Sequence, residues 1–337
     1  MSKKLKIGLI ARCDNGGLGR LSQDFYENLP IHRVMALTVR DRENHLDRFP
    51  GAINPEKGVP SLEEIDAFLE GLDMVLTFET PYNWNIFSRA KERGIKTVLI
   101  PNYEWTPYKL TVDPDLLLCP SQFDYDELKG MGIDIEYLPI PIDRKKLPFK
   151  LRKKAKTFIF NNGHGGYLGR NSYVELTQAI PLVKADVKFI IRSQIYPPDM
   201  INDSRVEYQL GDTLHENLWK EGDVFIHPHK FDGLSLPLNE AMSSGYPIIT
   251  TDMAPYNGIL PKELLIEPDA FGETKIERTI KYAVISPLKI AEKIEYIANK
   301  DITELSNKSN ELAELWSWNN LKDKYLELFT KLCQNQH

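Results

Sequence analysis

Residues 223–252 read Asp223-Val-Phe-Ile-His-Pro-His-Lys-Phe-Asp-Gly-Leu-Ser-Leu-Pro-Leu-Asn-Glu-Ala-Met-Ser-Ser-Gly-Tyr-Pro-Ile-Ile-Thr-Thr-Asp252. The apolar run Val224 to Ile226 predicts a buried strand, and the polar loop after it holds Asp232 and Gly233. Ser235 is placed to cap a helix whose first turn contains Pro237, where a missing N–H costs little. Gly245 is placed to end that helix, and Pro247 to Thr250 begins another strand. A strand–loop–helix–strand unit follows, with its loop at the carboxyl end of a strand. Open α/β sheets bind ligands at that edge, and the amino end of the helix favours a phosphate.

The rest of the chain fits two such units. At 337 residues it is longer than one usual domain. Forty-two Lys and Arg against 48 Asp and Glu give a formal charge of −6, so there is no general attraction to nucleic acid or an anionic membrane. No apolar run is long enough to span a bilayer, and the amino terminus lacks a signal-peptide pattern. The three cysteines are far apart, as expected in a reducing compartment without structural zinc. These features predict a cytoplasmic protein, with peripheral membrane contact left open.

Leu5 to Ala11 predicts a first strand, and Arg12 to Arg20 a glycine-rich turn carrying Gly16 and Gly17. Its glycine spacing is not that of a dinucleotide fingerprint. Alternating strand and helix patterns to Leu138 predict a parallel sheet covered on both faces. Two strand-end loops combine aromatics with polar groups: Phe78 to Trp84, with Glu79, and Pro101 to Trp105, with Tyr103, Glu104 and Trp105. Such loops suit sugar binding, since flat rings stack and carboxylates accept from hydroxyls. They equally suit loop anchoring. Arg144 to Lys156 holds eight basic residues in thirteen and reads as a solvated linker. The second half restarts with a strand at Thr157 and a second glycine loop, containing Gly165, Gly166 and Arg170. A later strand ends in Arg192, and Asp212 to Glu221 reads as a helix. The expected domains are therefore 1–143, a linker over 144–156, 157–318, and a last helix over 319–337.

Asp232 and Gly233, with Glu240-Ala241-Met242 eight positions on, resemble the signature of retaining glycosyltransferases of family 4. That family usually has Glu at the first acid, so Asp232 keeps the charge with a shorter reach. The resemblance implies the α/β GT-B fold: two doubly wound Rossmann-like domains facing across a cleft, with the last helix crossing back to the first. It implies sugar transfer from a nucleoside-diphosphate sugar to a hydroxyl acceptor, with retention and without metal or cofactor. Arg170 and Asp232 are the implied catalytic residues. Gly16, Gly17, Gly165, Gly166, Arg192, Gly233, Leu234, Ser235, Leu236 and Glu240 are the implied donor-binding residues, and Glu79, Tyr103, Glu104 and Trp105 lie on the acceptor side. The acceptor stays open: a lipid-linked sugar, a polysaccharide end, a small metabolite or a modified base. A non-catalytic nucleotide-sugar-binding protein, or another GT-B enzyme such as an epimerase, is the alternative.

Overall fold

The computed structural model describes residues 4–334 except Asp41, Lys57, Gly165, Tyr167 and Leu168, and leaves the Glu216 side chain undescribed. Its contacts divide the chain into residues 1–141 with 318–337, and residues 142–317.

The first unit contains β1 (Ile7–Arg12), α1 (Gly17–Asn28), β2 (Ile31–Leu37), α2 (Leu62–Leu69), β3 (Met74–Phe78), α3 (Asn85–Glu92), β4 (Lys96–Ile100), β5 (Leu116–Cys119), α4 (Gln122–Leu128) and β6 (Ile135–Tyr137). All strand pairs are parallel, in the order β2-β1-β3-β4-β5-β6. Capping follows the sequence signals. Ser61 and Glu64 form a reciprocal capping box on α2, and the Ser121 hydroxyl accepts from the Asp124 N–H at 3.0 Å.

The second unit contains β7 (Thr157–Gly163), α5 (Tyr173–Ala179), β8 (Lys188–Ser193), β9 (Val206–Leu210), β10 (Val224–His227), α6 (Leu236–Ser243), β11 (Ile248–Thr251), β12 (Leu265–Ile266), an antiparallel hairpin of β13 (Ala270–Lys275) and β14 (Thr279–Val284), α7 (Pro287–Ile297) and α8 (Thr303–Leu315). Its six-stranded parallel sheet runs β12-β11-β10-β7-β8-β9. Strand residues alternate between two cores, as the two-residue period requires. Phe158, Phe160, Val224 and Ile226 enter one, and Ile159 and Phe225 the other.

The last helix, α9 (Trp318–Gln334), groups with the first unit because its buried side chains recur at helical spacing. Trp318, Tyr325 and Phe329 are buried, and the rings of Trp318 and Tyr325 meet Phe25 of α1 edge-on at 4.9 and 5.4 Å. None of the described helices is long and apolar enough to cross a membrane.

Two expectations need correction, and one element has no counterpart in the sequence reading. Residues 144–156 are not a free linker but part of the second unit. Arg152 is buried over the Tyr246 ring and donates to the carbonyls of Gly222, Trp219 and Ser244, satisfying chain ends that would otherwise be orphaned. Residues 212–221 form only a short 3-10 turn, His215–Asn217, between the left-handed glycines Gly211 and Gly222. A helix that short carries the full cost of nucleation, and His215 and Trp219 are drawn to Glu240 instead. The hairpin of β13 and β14 lacks a tight-turn dipeptide and went unread in the sequence.

Gly19 fixes how closely α1 approaches the end of β1. A Cβ there would lie 2.0 Å from the Asp14 carbonyl oxygen, a backbone atom that cannot swing aside. Gly19→Ala is expected to cost about 2 kcal/mol of stability, read as a lower denaturant midpoint at unchanged slope.

Candidate functional site

In each sheet the strand order reverses beside the first strand: between β1 and β3 in the first unit, and between β7 and β10 in the second. Ligands of doubly wound sheets bind outside the carboxyl ends at such points. Of the loops singled out in the sequence, those after β1, β3, β7 and β10 leave these strand ends, while Pro101 to Trp105 follows the neighbouring β4 and Arg192 lies near the end of β8.

In the second unit, the loop after β7 turns through Gly163, Gly166 and Gly169, all with positive φ, and through Ser172, a non-glycine at φ 55°. At Gly166 a Cβ would crowd Asn171 and Arg170 at 3.0 and 3.2 Å. The Arg170 carbonyl accepts from the Lys230 N–H at 2.7 Å, tying this loop to the one after β10. Gly165 lies outside the described residues.

The loop after β10 is built on two buried histidines. His227 stacks on Phe225, and its Nε2 lies 3.5 Å from Asp232 Oδ2 and 3.3 Å from Ser235 Oγ. Burial alone would raise the Asp232 pKa. The His227 hydrogen bond and the Arg170 charge outweigh it and hold the carboxyl well below the usual range. The other oxygen, Asp232 Oδ1, is buried without a hydrogen-bond partner. The Thr250 hydroxyl donates to the His227 carbonyl, so it can only accept from His229 Nδ1, at 3.0 Å. His229 therefore carries its proton on Nδ1, and its Nε2 is a buried lone pair without a donor. Ser235 stands at the start of α6, but its hydroxyl faces His227 and makes no cap bond; its N–H donates to the Tyr256 hydroxyl at 2.8 Å. Gly233, Leu234 and Leu236 complete this turn.

Glu240 lies one turn into α6 and is mostly buried. Its two oxygens are held by His215 Nε2 at 2.8 Å and Trp219 Nε1–H at 3.0 Å. Arg192 stands differently from Arg170. It is buried, and its three nitrogens donate to Gln209, the Leu218 carbonyl and Glu221. Its guanidinium is thus engaged by residues 209–221.

The first unit contains a cluster that the sequence reading missed. Asp14, fully buried after β1, accepts from Arg12 at 3.0 and 2.8 Å, from Arg42 at 2.7 Å and from the Gly16 N–H at 3.2 Å. Burial would raise its pKa, but the two guanidiniums bring it below the usual value. A Cβ at Gly16 would lie 2.6 Å from Arg42 Nη1 and 2.7 Å from Asp14 Oδ2, so any larger residue would have to displace these side-chain ends. Gly17 opens α1. The signal available was the Arg12-x-Asp14 pair immediately before the glycines.

Beyond β3, Glu79 and Tyr82 have φ of 62° and 61°, left-handed conformations that non-glycine residues seldom adopt. Asn102 after β4 donates to Glu79 at 3.2 Å, so two of the aromatic-rich loops do meet. Tyr103 turns to Glu127 and Phe123, Glu104 is buried, and Trp105 is half-buried.

Residues 166–280 match the family model described as Glycosyl transferases group 1. Over 213 residues the chain is 25% identical to an Escherichia coli protein, UDP-Gal:alpha-D-GlcNAc-diphosphoundecaprenol alpha-1,3-galactosyltransferase, covering 52% of each. The chain thus spans about half the length of that curated relative. Among solved structures, a glycosyltransferase from Rickettsia africae ESF-5 superposes with a TM-score of 0.67 at 15% identity, over 99% of this chain and 100% of that one. Anabaena HepE in complex with UDP-glucose gives 0.68 at 11% identity, over 97% and 100%. The fold is GT-B.

Proposed function

We propose that this GT-B chain, whose residues 166–280 carry the glycosyl transferases group 1 segment, moves a sugar from a nucleoside-diphosphate sugar to a hydroxyl acceptor. The observation that carries the reading is the second unit's β7–β10 edge. There a glycine loop with Arg170 follows β7, a buried ionised Asp232 follows β10, and a clamped Glu240 stands one turn into α6. A uridine nucleotide is the favoured donor, in keeping with the named E. coli and Anabaena proteins.

Breaking the bond between the sugar C1 and the diphosphate builds negative charge on the leaving oxygen. Arg170, Gly166 and the amides of Leu234 and Leu236 at the start of α6 stabilise that charge. Asp232 accepts from a sugar hydroxyl and Glu240 from the ribose. The acceptor hydroxyl bonds to C1 on the face that the diphosphate leaves, with retention, and its proton passes to the leaving phosphate. The chain's own donors supply this stabilisation without a metal. Acceptor contacts fall to Glu79, Asn102 and Trp105 of the first unit. Arg192 positions the β8–β9 edge.

A thermal-shift panel of nucleoside diphosphates and nucleotide sugars, with and without magnesium, tests the donor site. A true donor at a hundredfold excess over its dissociation constant adds about 2.7 kcal/mol. His215→Ala is expected to weaken that donor roughly tenfold by freeing Glu240, raising KM with little change in kcat, and His215→Gln to restore part of the loss. If no nucleotide shifts the wild-type protein, the donor site is refuted.

A further inference from the structure

The basic segment 144–156 has no part in the chemistry above. Lys145, Lys150, Lys153, Lys154 and Lys156 are exposed, Arg152 is buried, and Arg144 and Lys146 are half-buried in ion pairs with Glu314 and Asp143. Backbone contacts gather more lysines around them. The Lys188 N–H donates to the Lys156 carbonyl, the Ala155 N–H to the Lys300 carbonyl, and Lys150 Nζ to the Lys220 carbonyl. Lys188, Lys220 and Lys300 are exposed too.

Two neighbouring acids offset part of this charge but take backbone partners rather than the lysine ammonium groups. Asp223 Oδ2 accepts from the N–H groups of Lys156 and Thr157, and Asp301 Oδ1 from that of Thr303. Among the described residues, Lys153, Lys154, Lys156 and Lys188 make no ion pair. In a chain of net charge −6 this is a marked local excess.

Its position separates it from the donor. Lys156 precedes β7, Lys188 begins β8 and Asp223 precedes β10, so the lysines line the amino edge of the sheet. The donor loops leave the carboxyl edge. The seven residues of β7 set the two edges ~20 Å apart. A bound diphosphate at the carboxyl edge leaves these charges uncompensated.

Apolar groups lie among the lysines. Leu151 is 37% exposed, Phe149 36% and Tyr296 49%, with Lys300 Nζ 3.8 Å from the Tyr296 ring centre. Lysines around exposed apolar side chains match a bilayer with anionic headgroups, which offers negative charge and an apolar layer together. A nucleic acid would offer charge without the apolar layer. We infer that the amino edge of the second unit's sheet, centred on residues 149–156, docks the protein on an anionic lipid surface. This inference does not rest on sugar transfer.

The test is flotation of the full chain with vesicles of phosphatidylcholine alone, or of equal parts phosphatidylcholine and phosphatidylglycerol. Binding is expected only to the anionic vesicles, falling as salt rises. Reversing Lys153 and Lys154 to Glu is expected to lower it roughly thirtyfold or more, with an unchanged melting temperature and nucleotide response. Leu151→Ser is expected to weaken binding further at high salt. Equal binding to both vesicles, no binding to either, or binding to duplex DNA in place of anionic vesicles would overturn the inference. The nucleotide thermal shift on the same preparation reports the donor site separately.

Discussion

Asp232→Asn is expected to lower kcat/KM by about a hundredfold to a thousandfold while the protein still folds. The two side chains have nearly the same shape, so the loop after β10 keeps its packing and the change is one of charge. The carboxylate is nearly buried, with side-chain exposure of 8%, and the His227 hydrogen bond and Arg170 keep it ionised there. Its Oδ1 is a buried acceptor without a donor. Such an acceptor is costly to leave unmade in the free protein, and a sugar hydroxyl is the partner proposed for it. An amide accepts more weakly and carries no charge to complement a developing cation at C1. Because the folded pKa is depressed, Asp232 stays ionised at all moderate pH. The acid limb of a pH–rate profile therefore belongs to another group. Its contribution to stability is present above the unfolded carboxyl pKa and is lost as pH falls through the folded value. Steady-state kinetics with the donor found by thermal shift checks this. A variant with near-normal kcat/KM would remove Asp232 from the site.

The fold was legible because its signals are local. Runs such as Val224 to Ile226, bounded by loop residues, leave little choice but buried parallel strands, and Ser61 and Ser121 mark helix starts that their neighbours respect. The β10–α6 unit was legible for the same reason: Pro237, Gly245 and Pro247 punctuate it. What could not be read depends on distant partners. Eight basic residues in thirteen look like a solvated face, because nothing in residues 144–156 announces that Arg152 will meet Gly222, Trp219 and Ser244. Arg192 and Arg170 both follow strands and look alike as phosphate donors. They are separated only by Gln209 and Glu221, which approach Arg192 from the next strand and the loop beyond it. The Asp14 cluster was hidden similarly, since Arg42 reaches it from 28 residues away. Glu240 is expected to bind the donor from its place in the motif, but two of its partners come from a segment that reads as an ordinary helix.

His229 makes the larger claim on stability. It is fully buried, donates through Nδ1 to Thr250 and has no room for a charge. Burial, reinforced by His227 and Arg170 and opposed by Asp232, pushes its pKa down to about 4. An unfolded histidine titrates near 6.5. Between those values the unfolded chain binds a proton that the folded protein refuses, so stability falls as pH falls through that window. The expected loss is about 3 kcal/mol, complete near pH 4 and absent above pH 7. Carboxylates such as Asp14 and Asp232, whose folded pKa values are depressed, add their own losses at lower pH. His229→Asn isolates the histidine: the amide N–H still reaches Thr250, and no group remains to titrate. The variant is expected to be somewhat less stable at neutral pH but to have a flatter profile, so the two curves converge toward pH 4. Urea unfolding of both proteins at intervals from pH 7 to 4 measures the difference directly. Parallel curves would mean that His229 accepts a proton in the folded state. The buried Nε2 would then have a route to water or to a donor group, and the loop after β10 would have to open in the absence of any ligand.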